Sequence, residues 1–165
     1  MEGEKRENVY RNVISFLEQC GVRYEEYSHK PLFTMEETDE IYEGISEQQV
    51  KVIFARKYKT KSVYDFCLIV WTGSKKVDFA KIAEVLNVKK VGMATPEEVL
   101  EELEIQIGAL SPIGYKKKCL AVVDKNLLRQ PDLYINPGVH DKTIRMSAVD
   151  LGKLIELSAS EMVVV

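Results

Sequence analysis

The chain has 165 residues and a formal charge of −3, with 45% apolar and 30% charged residues, the balance of an ordinary globular domain. A chain this long buries roughly 70% of its unfolded surface, so it needs neither a disulfide framework nor a structural metal and reads as one domain over residues 1–165. Its longest apolar runs, Cys67 to Trp71 and Cys119 to Val123, fall far short of the ~20 residues that span a bilayer, which excludes a membrane protein, and no composition bias points to collagen or a coiled coil.

Val9, Val13, Phe16, Leu17 and Cys20 recur at three- and four-residue spacing, which predicts an amphipathic helix over 4–20 ended by Gly21. A short strand is expected over 23–28. Thr34-Met35-Glu36-Glu37 fits a capping box and predicts a helix to about Gly44. From Val50 the period becomes two: Val50, Val52 and Phe54 alternate with Lys51, Ile53 and Ala55, so Lys51 shares a strand face with Ile53 and Ala55. Val63 to Trp71 predicts a second, central strand. Asp78 can cap a helix that turns Phe79, Ile82, Ala83 and Leu86 inward. A strand over 90–93 follows, and Thr95-Pro96-Glu97-Glu98 places Thr at the cap, Pro at the first helical position and Glu at the third. That helix is expected to bury Val99, Leu100 and Leu103. Three strands are read at 119–124, 132–136 and 143–146, with a turn at Lys125-Asn126, and Ser147 and Asp150 open a last helix. Some connections are too short for helical crossovers, so the expected fold is mixed α/β, with a mixed sheet flanked by helices.

The charge is unevenly placed. Residues 1–50 carry 5 basic and 12 acidic side chains, and the remainder carries 18 and 14. Basic residues bunch at Arg56-Lys57 with Lys59 and Lys61, at Lys75-Lys76, at Lys89-Lys90 and at Lys116-Lys117-Lys118. Each cluster is either a solvated turn or part of a patch for a polyanion. Cys20, Cys67 and Cys119 are scattered, with no Cys-x-x-Cys or Cys-His pair beside them. No metal site is expected, and reduced thiols point to the cytoplasm. The charged start of the chain has no apolar stretch behind it, so a secretory signal is not expected.

No nucleophile elbow, phosphate-binding glycine loop, dinucleotide fingerprint or His-Glu-x-x-His motif is present. Two candidates for chemistry remain. Lys51 lies inside a strand beside apolar residues, where a cation is costly unless its face opens on a pocket; it is either a pocket-wall lysine or an edge-strand lysine that reaches solvent. Gly108-Ala109-Leu110-Ser111-Pro112-Ile113-Gly114 is either a tight connection or a loop whose amides receive a negatively charged oxygen. Ordinary turn and loop chemistry accounts for His29, for Asn136-Pro137-Gly138 and for His140.

In order and spacing, His29-Lys30-Pro31 with Thr34 and Glu37, Val50-Lys51, Lys76 to Phe79, Thr95 to Val99, Gly108 to Gly114 and Val123-Asp124 resemble the YbaK/prolyl-tRNA-synthetase-associated editing domain family. The resemblance runs from about Val22 to Ile155. It implies a strongly curved mixed sheet and hydrolysis of mischarged aminoacyl-tRNA without a cofactor, with tRNA(Pro) bearing Ala or Cys as the expected substrate. It also implies the acceptor end of tRNA as partner, and a prolyl-tRNA synthetase as a further one, with a monomer and a homodimer both open. The alternative is a catalytically silent module that binds a nucleotide or a tRNA end. Residue by residue, the resemblance makes Lys51 the lysine required for deacylation and Gly108 part of the catalytic loop. It places His29, Thr34, Ala109, Leu110, Ser111, Pro112, Asn136 and Gly138 around the substrate, and Lys57, Lys116, Lys117 and Lys118 against the nucleic acid. The chain departs from the family at Asn136, where many alanine-specific members have the histidine of a histidine-proline segment, and at Glu104, where members often have glycine, so a reshaped pocket entrance is expected.

Overall fold

The structure, a computed structural model, describes residues 2–34, 36–37 and 46–165. Eight strands and five helices of four residues or more are found among these. The amphipathic stripe forms α1 (Glu2–Gln19), and Gly21, at φ +65°, turns the chain so that the Val22 amide donates to the Leu17 carbonyl at 3.0 Å. β1 (Tyr24–Ser28) follows. The helix expected from Thr34 to Gly44 lies mostly outside the described residues. Its cap is visible: the Glu37 amide donates to Thr34 Oγ1 at 3.2 Å, while the Glu37 carboxylate accepts from the Phe33 amide, at 2.7 Å, instead of the Thr34 amide.

β2 (Val50–Tyr58) and β3 (Tyr64–Thr72) pair antiparallel along their whole length, with Lys51 opposite Trp71 and Lys57 opposite Asp65. α2 (Phe79–Leu86) is capped by Asp78, whose carboxylate accepts from the Lys81 amide at 3.0 Å. After β4 (Lys90–Met93), Thr95 caps α3 (Pro96–Leu103). α3 buries Val99 and Leu103, but Leu100 is exposed, contrary to expectation. β5 (Leu120–Val123) leads into α4 (Lys125–Leu128), a single helical turn where a plain turn was expected; Asp124 caps it. β6 (Asp132–Ile135), β7 (Lys142–Ser147), α5 (Ala148–Ser158) and β8 (Glu161–Val164) complete the chain. β8 was not expected from the sequence; it is recognisable only through its parallel pairing with β5.

The mixed α/β class holds, and the strands divide between two sheets. Five form a mixed sheet in the order β4-β2-β3-β5-β8, and three form an antiparallel sheet in the order β1-β7-β6. β3 is central and carries core on both faces, which is why its sequence is apolar without alternation. Leu68 and Val70 join the larger core with α1, α3, α5 and the small sheet, through residues such as Leu17, Ile135, Ile144 and Leu151. Cys67, Ile69 and Trp71 face the smaller core under α2, with Ile82 and Val122.

β4 covers only Ala55 to Tyr58 of β2, which leaves the first half of β2 without a neighbour on that side. There the small sheet approaches: the Tyr134 amide of β6 donates to the Gln48 carbonyl at 2.9 Å, and Gln49 bridges Tyr134. The junction between the two sheets, at the start of β2, positions the site.

Candidate active site

A cavity of about 180 Å³ opens at this junction. One wall is Gln49, Val50, Lys51 and Val52 from the start of β2. His29, Leu32, Phe33 and Thr34 come from the segment after β1, and Gly108 and Leu110 from the loop after α3. Tyr134, Ile135 and Asn136 at the end of β6, with His140, Lys142 and Thr143 at the start of β7, close it. Among the described residues, no carboxylate lines the cavity.

Lys51 is among the residues that line the cavity. Its Nζ donates to the carbonyl oxygen of Lys75 at 2.6 Å, so the Lys75-Lys76 turn holds the ammonium in place. Burial pushes its pKa below the ordinary lysine value. A partly desolvated ammonium whose partner among the described residues is a neutral carbonyl is a strong site for an anion.

The segment after β1 is zipped to the β6–β7 loop. The His29 amide donates to the Asp141 carbonyl at 2.9 Å, and the Leu32 amide to the His140 carbonyl at 2.8 Å. His29 Nδ1 lies 2.7 Å from the Lys30 carbonyl, which makes that nitrogen the donor, and its Nε2 lies 2.9 Å from Thr143 Oγ1. In the neutral ring Nε2 thus accepts the Thr143 hydroxyl proton. His140 Nδ1 donates to the Leu32 carbonyl at 3.0 Å.

The loop after α3 divides its residues between cavity and core. Gly108 and Leu110 line the cavity, whereas Ala109, Ser111 and Pro112 are buried away from it. Ala109 donates its amide to the Gln106 carbonyl at 3.3 Å, and Ser111 donates its amide to the Tyr115 hydroxyl at 2.8 Å. Two of the amides that the sequence placed around a developing oxyanion are thus engaged within the loop, and Gly108 and Leu110 are the loop residues that line the cavity. Gly108 has φ +92°, and a Cβ there would sit 3.2 Å from His140 Cε1 and 3.5 Å from the Phe33 carbonyl oxygen. Asn136 joins the two loops: its Nδ2 donates to the Gly108 carbonyl at 3.3 Å, and its Oδ1 accepts from the Gly138 amide at 2.8 Å.

Gly138 is placed elsewhere. At φ +102° its α-carbon packs on α1, where a Cβ would meet Val9 Cγ1 at 2.9 Å and the Tyr10 amide nitrogen at 3.3 Å. Glu104 does not line the cavity. It ends α3 at φ +58°, its amide donating to the Leu100 carbonyl, a left-handed position that suits glycine. Glutamate thus occupies the left-handed position that ends this helix.

The basic clusters are not gathered at the mouth. Only Lys75-Lys76 adjoins Lys51. Lys57 is six residues further along β2, roughly 20 Å away at strand rise, and pairs with Asp65 at 3.5 Å. Lys117 lies at that far end too, ion-paired with Glu102 and 5.9 Å above the Phe66 ring. Phe33, Gln49, Tyr134, His140, Lys142 and Thr143 line the cavity although sequence reasoning did not select them; only long-range pairing of β1 with β7 and of Gln49 with Tyr134 brings them there.

Neither half-buried nor buried thiol serves as a nucleophile. Burial pushes Cys67 up to about 12 and raises Cys119, and neither lines the cavity. No group of three or more metal-ligating side chains occurs among the described residues.

Comparison with known proteins decides the family: the aminoacyl-tRNA editing domain model matches residues 29–154. The chain belongs to the aminoacyl-tRNA editing domain family. The match covers Lys51, the Gly108 loop and every other cavity residue, and aminoacyl-tRNA editing, the activity expected from sequence, is the activity of that family. The chain is 26% identical to the prolyl-tRNA editing protein ProX of Acetoanaerobium sticklandii, over 90% of this chain and 91% of the relative. It is 24% identical to the multifunctional Ser/Thr-tRNA deacylase ProXp-y of Escherichia coli, over 86% and 85%. Its fold is similar to the crystal structure of a proposed trans-editing enzyme for prolyl tRNA synthetase, with a TM-score of 0.74 at 23% identity, covering 93% and 95% of the two chains. No described helix is long and apolar enough to cross a membrane.

Proposed function

We propose that this editing domain, acting as one unit over residues 1–165 in the cytoplasm, hydrolyses mischarged aminoacyl-tRNA in trans, with tRNA(Pro) carrying Ala or Cys as substrate. The observation that carries the reading is that Lys51, its Nζ held by the Lys75 carbonyl, and Gly108 line one cavity in which no described residue contributes a carboxylate. An aminoacyl ester is already activated, so the chain has to position water and stabilise the oxygen that becomes negative. Water adds to the ester carbonyl, the carbonyl electrons move onto oxygen, and their return expels the ribose oxygen, which takes up a proton. Free amino acid and uncharged tRNA are the products.

Lys51 supplies positive charge to the ester or to the terminal phosphate, and the Gly108 and Leu110 amides supply hydrogen bonds. His29 and Thr143 offer a fixed hydroxyl–imidazole pair beside the ester, and Thr34 and Asn136 bound the pocket for the amino-acid side chain. Support for tRNA(Pro) comes from the ProX relative and from a proline–tRNA ligase of Thermotoga maritima, 26% identical over 66% of this chain and 22% of the ligase. A prolyl-tRNA synthetase is accordingly the proposed protein partner.

The test is a panel of Ala-, Cys-, Ser- and Thr-charged tRNAs, with correctly charged prolyl-tRNA as control, incubated with the purified protein. Rapid loss of the Ala or Cys ester from tRNA(Pro), with the prolyl ester spared, is the expected result. Preference for a seryl or threonyl ester would replace the proposed amino acid, and absence of hydrolysis across the panel would leave only a binding module.

A further inference from the structure

Phe33 is 61% exposed. A single exposed apolar residue ordinarily needs no explanation, but among the large apolar side chains exposed on the described surface, Phe33 is the one that lines the cavity. It is also held in place. Its amide donates to the Glu37 carboxylate at 2.7 Å, and one face of its ring rests on the His140 imidazole, with centroids 4.4 Å apart and planes inclined by 35°. His140 is itself fixed by two hydrogen bonds to Leu32, one from its ring and one at its carbonyl. Among the described residues, the result is a fixed aromatic ring at the cavity, backed by a second ring on one face and largely exposed.

We propose that the exposed ring of Phe33 stacks on the 3′-terminal adenine of tRNA. This deepens the deacylase reading and rests on it. With the ester between Lys51 and Gly108, the ribose that bears it stands at the rim, and its base is the next rigid group outward. The rim offers that base a flat apolar surface, whose ordering cost is already met by the Glu37 and His140 contacts. Stacking of this kind requires no hydrogen-bond readout, which suits a terminal base shared by all tRNAs. Phe33 touches the base and not the reacting atoms, so it acts on substrate capture and not on the bond that breaks.

The experiment uses the full chain and uncharged tRNA(Pro) whose terminal adenine is replaced by 2-aminopurine, a base whose fluorescence is quenched by stacking. The parent is expected to quench the signal on binding. Phe33→Leu keeps apolar bulk but has no ring; it should lose the quench and weaken binding by about 5- to 150-fold, the range for one stacked base, and Phe33→Tyr should restore both. With a mischarged substrate the same loss should appear in KM, with kcat within a few-fold of the parent. Equal quenching by parent and Phe33→Leu, or failure of Phe33→Tyr to restore it, overturns the proposal. The two readings separate cleanly. A ring-dependent quench without any ester hydrolysis keeps the stacking site and removes the deacylase, whereas hydrolysis indifferent to Phe33→Leu does the reverse.

Discussion

Lys51 Nζ donates to the Lys75 carbonyl oxygen at 2.6 Å, so the ammonium at the start of β2 is oriented by the turn that follows β3. A carbonyl orients a cation without neutralising it, unlike a carboxylate. Lys51→Ala should therefore fold normally and lose about 10²-fold or more in deacylation, the loss typical of one electrostatic stabiliser. Lys51→Arg should rescue incompletely, because a planar guanidinium cannot reproduce a single short bond to that carbonyl. Single-turnover rates measure both, and parent-like turnover in Lys51→Ala would remove Lys51 from the mechanism.

The lowered pKa of Lys51 predicts opposite effects of alkali on activity and stability. Activity needs the ammonium, so enzyme-dependent deacylation, corrected for spontaneous hydrolysis, should fall as pH rises through a value below 10.5. In that same window the unfolded chain, with its ordinary lysine, binds more protons than the folded one. Stability contributed by this group therefore rises with pH. Comparing pH–rate profiles and melting curves of the parent and Lys51→Met isolates both trends; identical melting differences at every pH would contradict the sign.

Gly108→Val places a branched side chain at φ +92°, with its Cβ 3.2 Å from His140 Cε1. The strained backbone and the tight contact must relax within the loop, and the Gly108 amide shifts with it. Deacylation should fall at least about 10²-fold, with little change in affinity for uncharged tRNA. Thermal melting identifies a variant that fails to fold, and Gly108→Ala, with the smallest added bulk, then carries the comparison. A folded variant working at the parent's rate would make the loop a mere connection.

Gly138→Ala should behave differently. Its Cβ would enter α1 at Val9 and the Tyr10 backbone, so the expected effect is a lower melting temperature, by about 1–3 kcal/mol of strain, with KM little altered. An unchanged melting temperature with raised KM would return Gly138 to the substrate site that the family resemblance implied.

Charge reversal at Lys116 and Lys118, leaving the Lys117–Glu102 pair intact, tests the far end of β2. With full-length tRNA, the log–log salt dependence of binding should flatten by about one unit for each phosphate no longer neutralised. It should stay unchanged with a short acceptor-end hairpin that reaches only the cavity. Equal slopes for full-length tRNA would show these lysines to be solvated only.

Local chemistry made much of this protein legible in its sequence. Asp78, Thr95 and Ser147 cap the helices they precede, and the alternation from Val50 to Ala55 correctly puts Lys51 on a strand with Ile53 and Ala55. These signals act over a few residues, so they survive into any tertiary setting. The family was legible as well, because the order of the His29, Lys51, Thr95 and Gly108 segments is a property of the chain. Which residues share a wall is not. His29 meets Thr143 only because β1 pairs with β7 across most of the chain, and Phe33 meets His140 for the same reason. Gly108 and Gly138 look alike in sequence, yet packing sets one on the cavity and the other on α1. Lys51 and Lys57 lie on one strand, but strand rise separates them by roughly 20 Å, and the cluster around Lys57 is removed from the pocket that Lys51 lines.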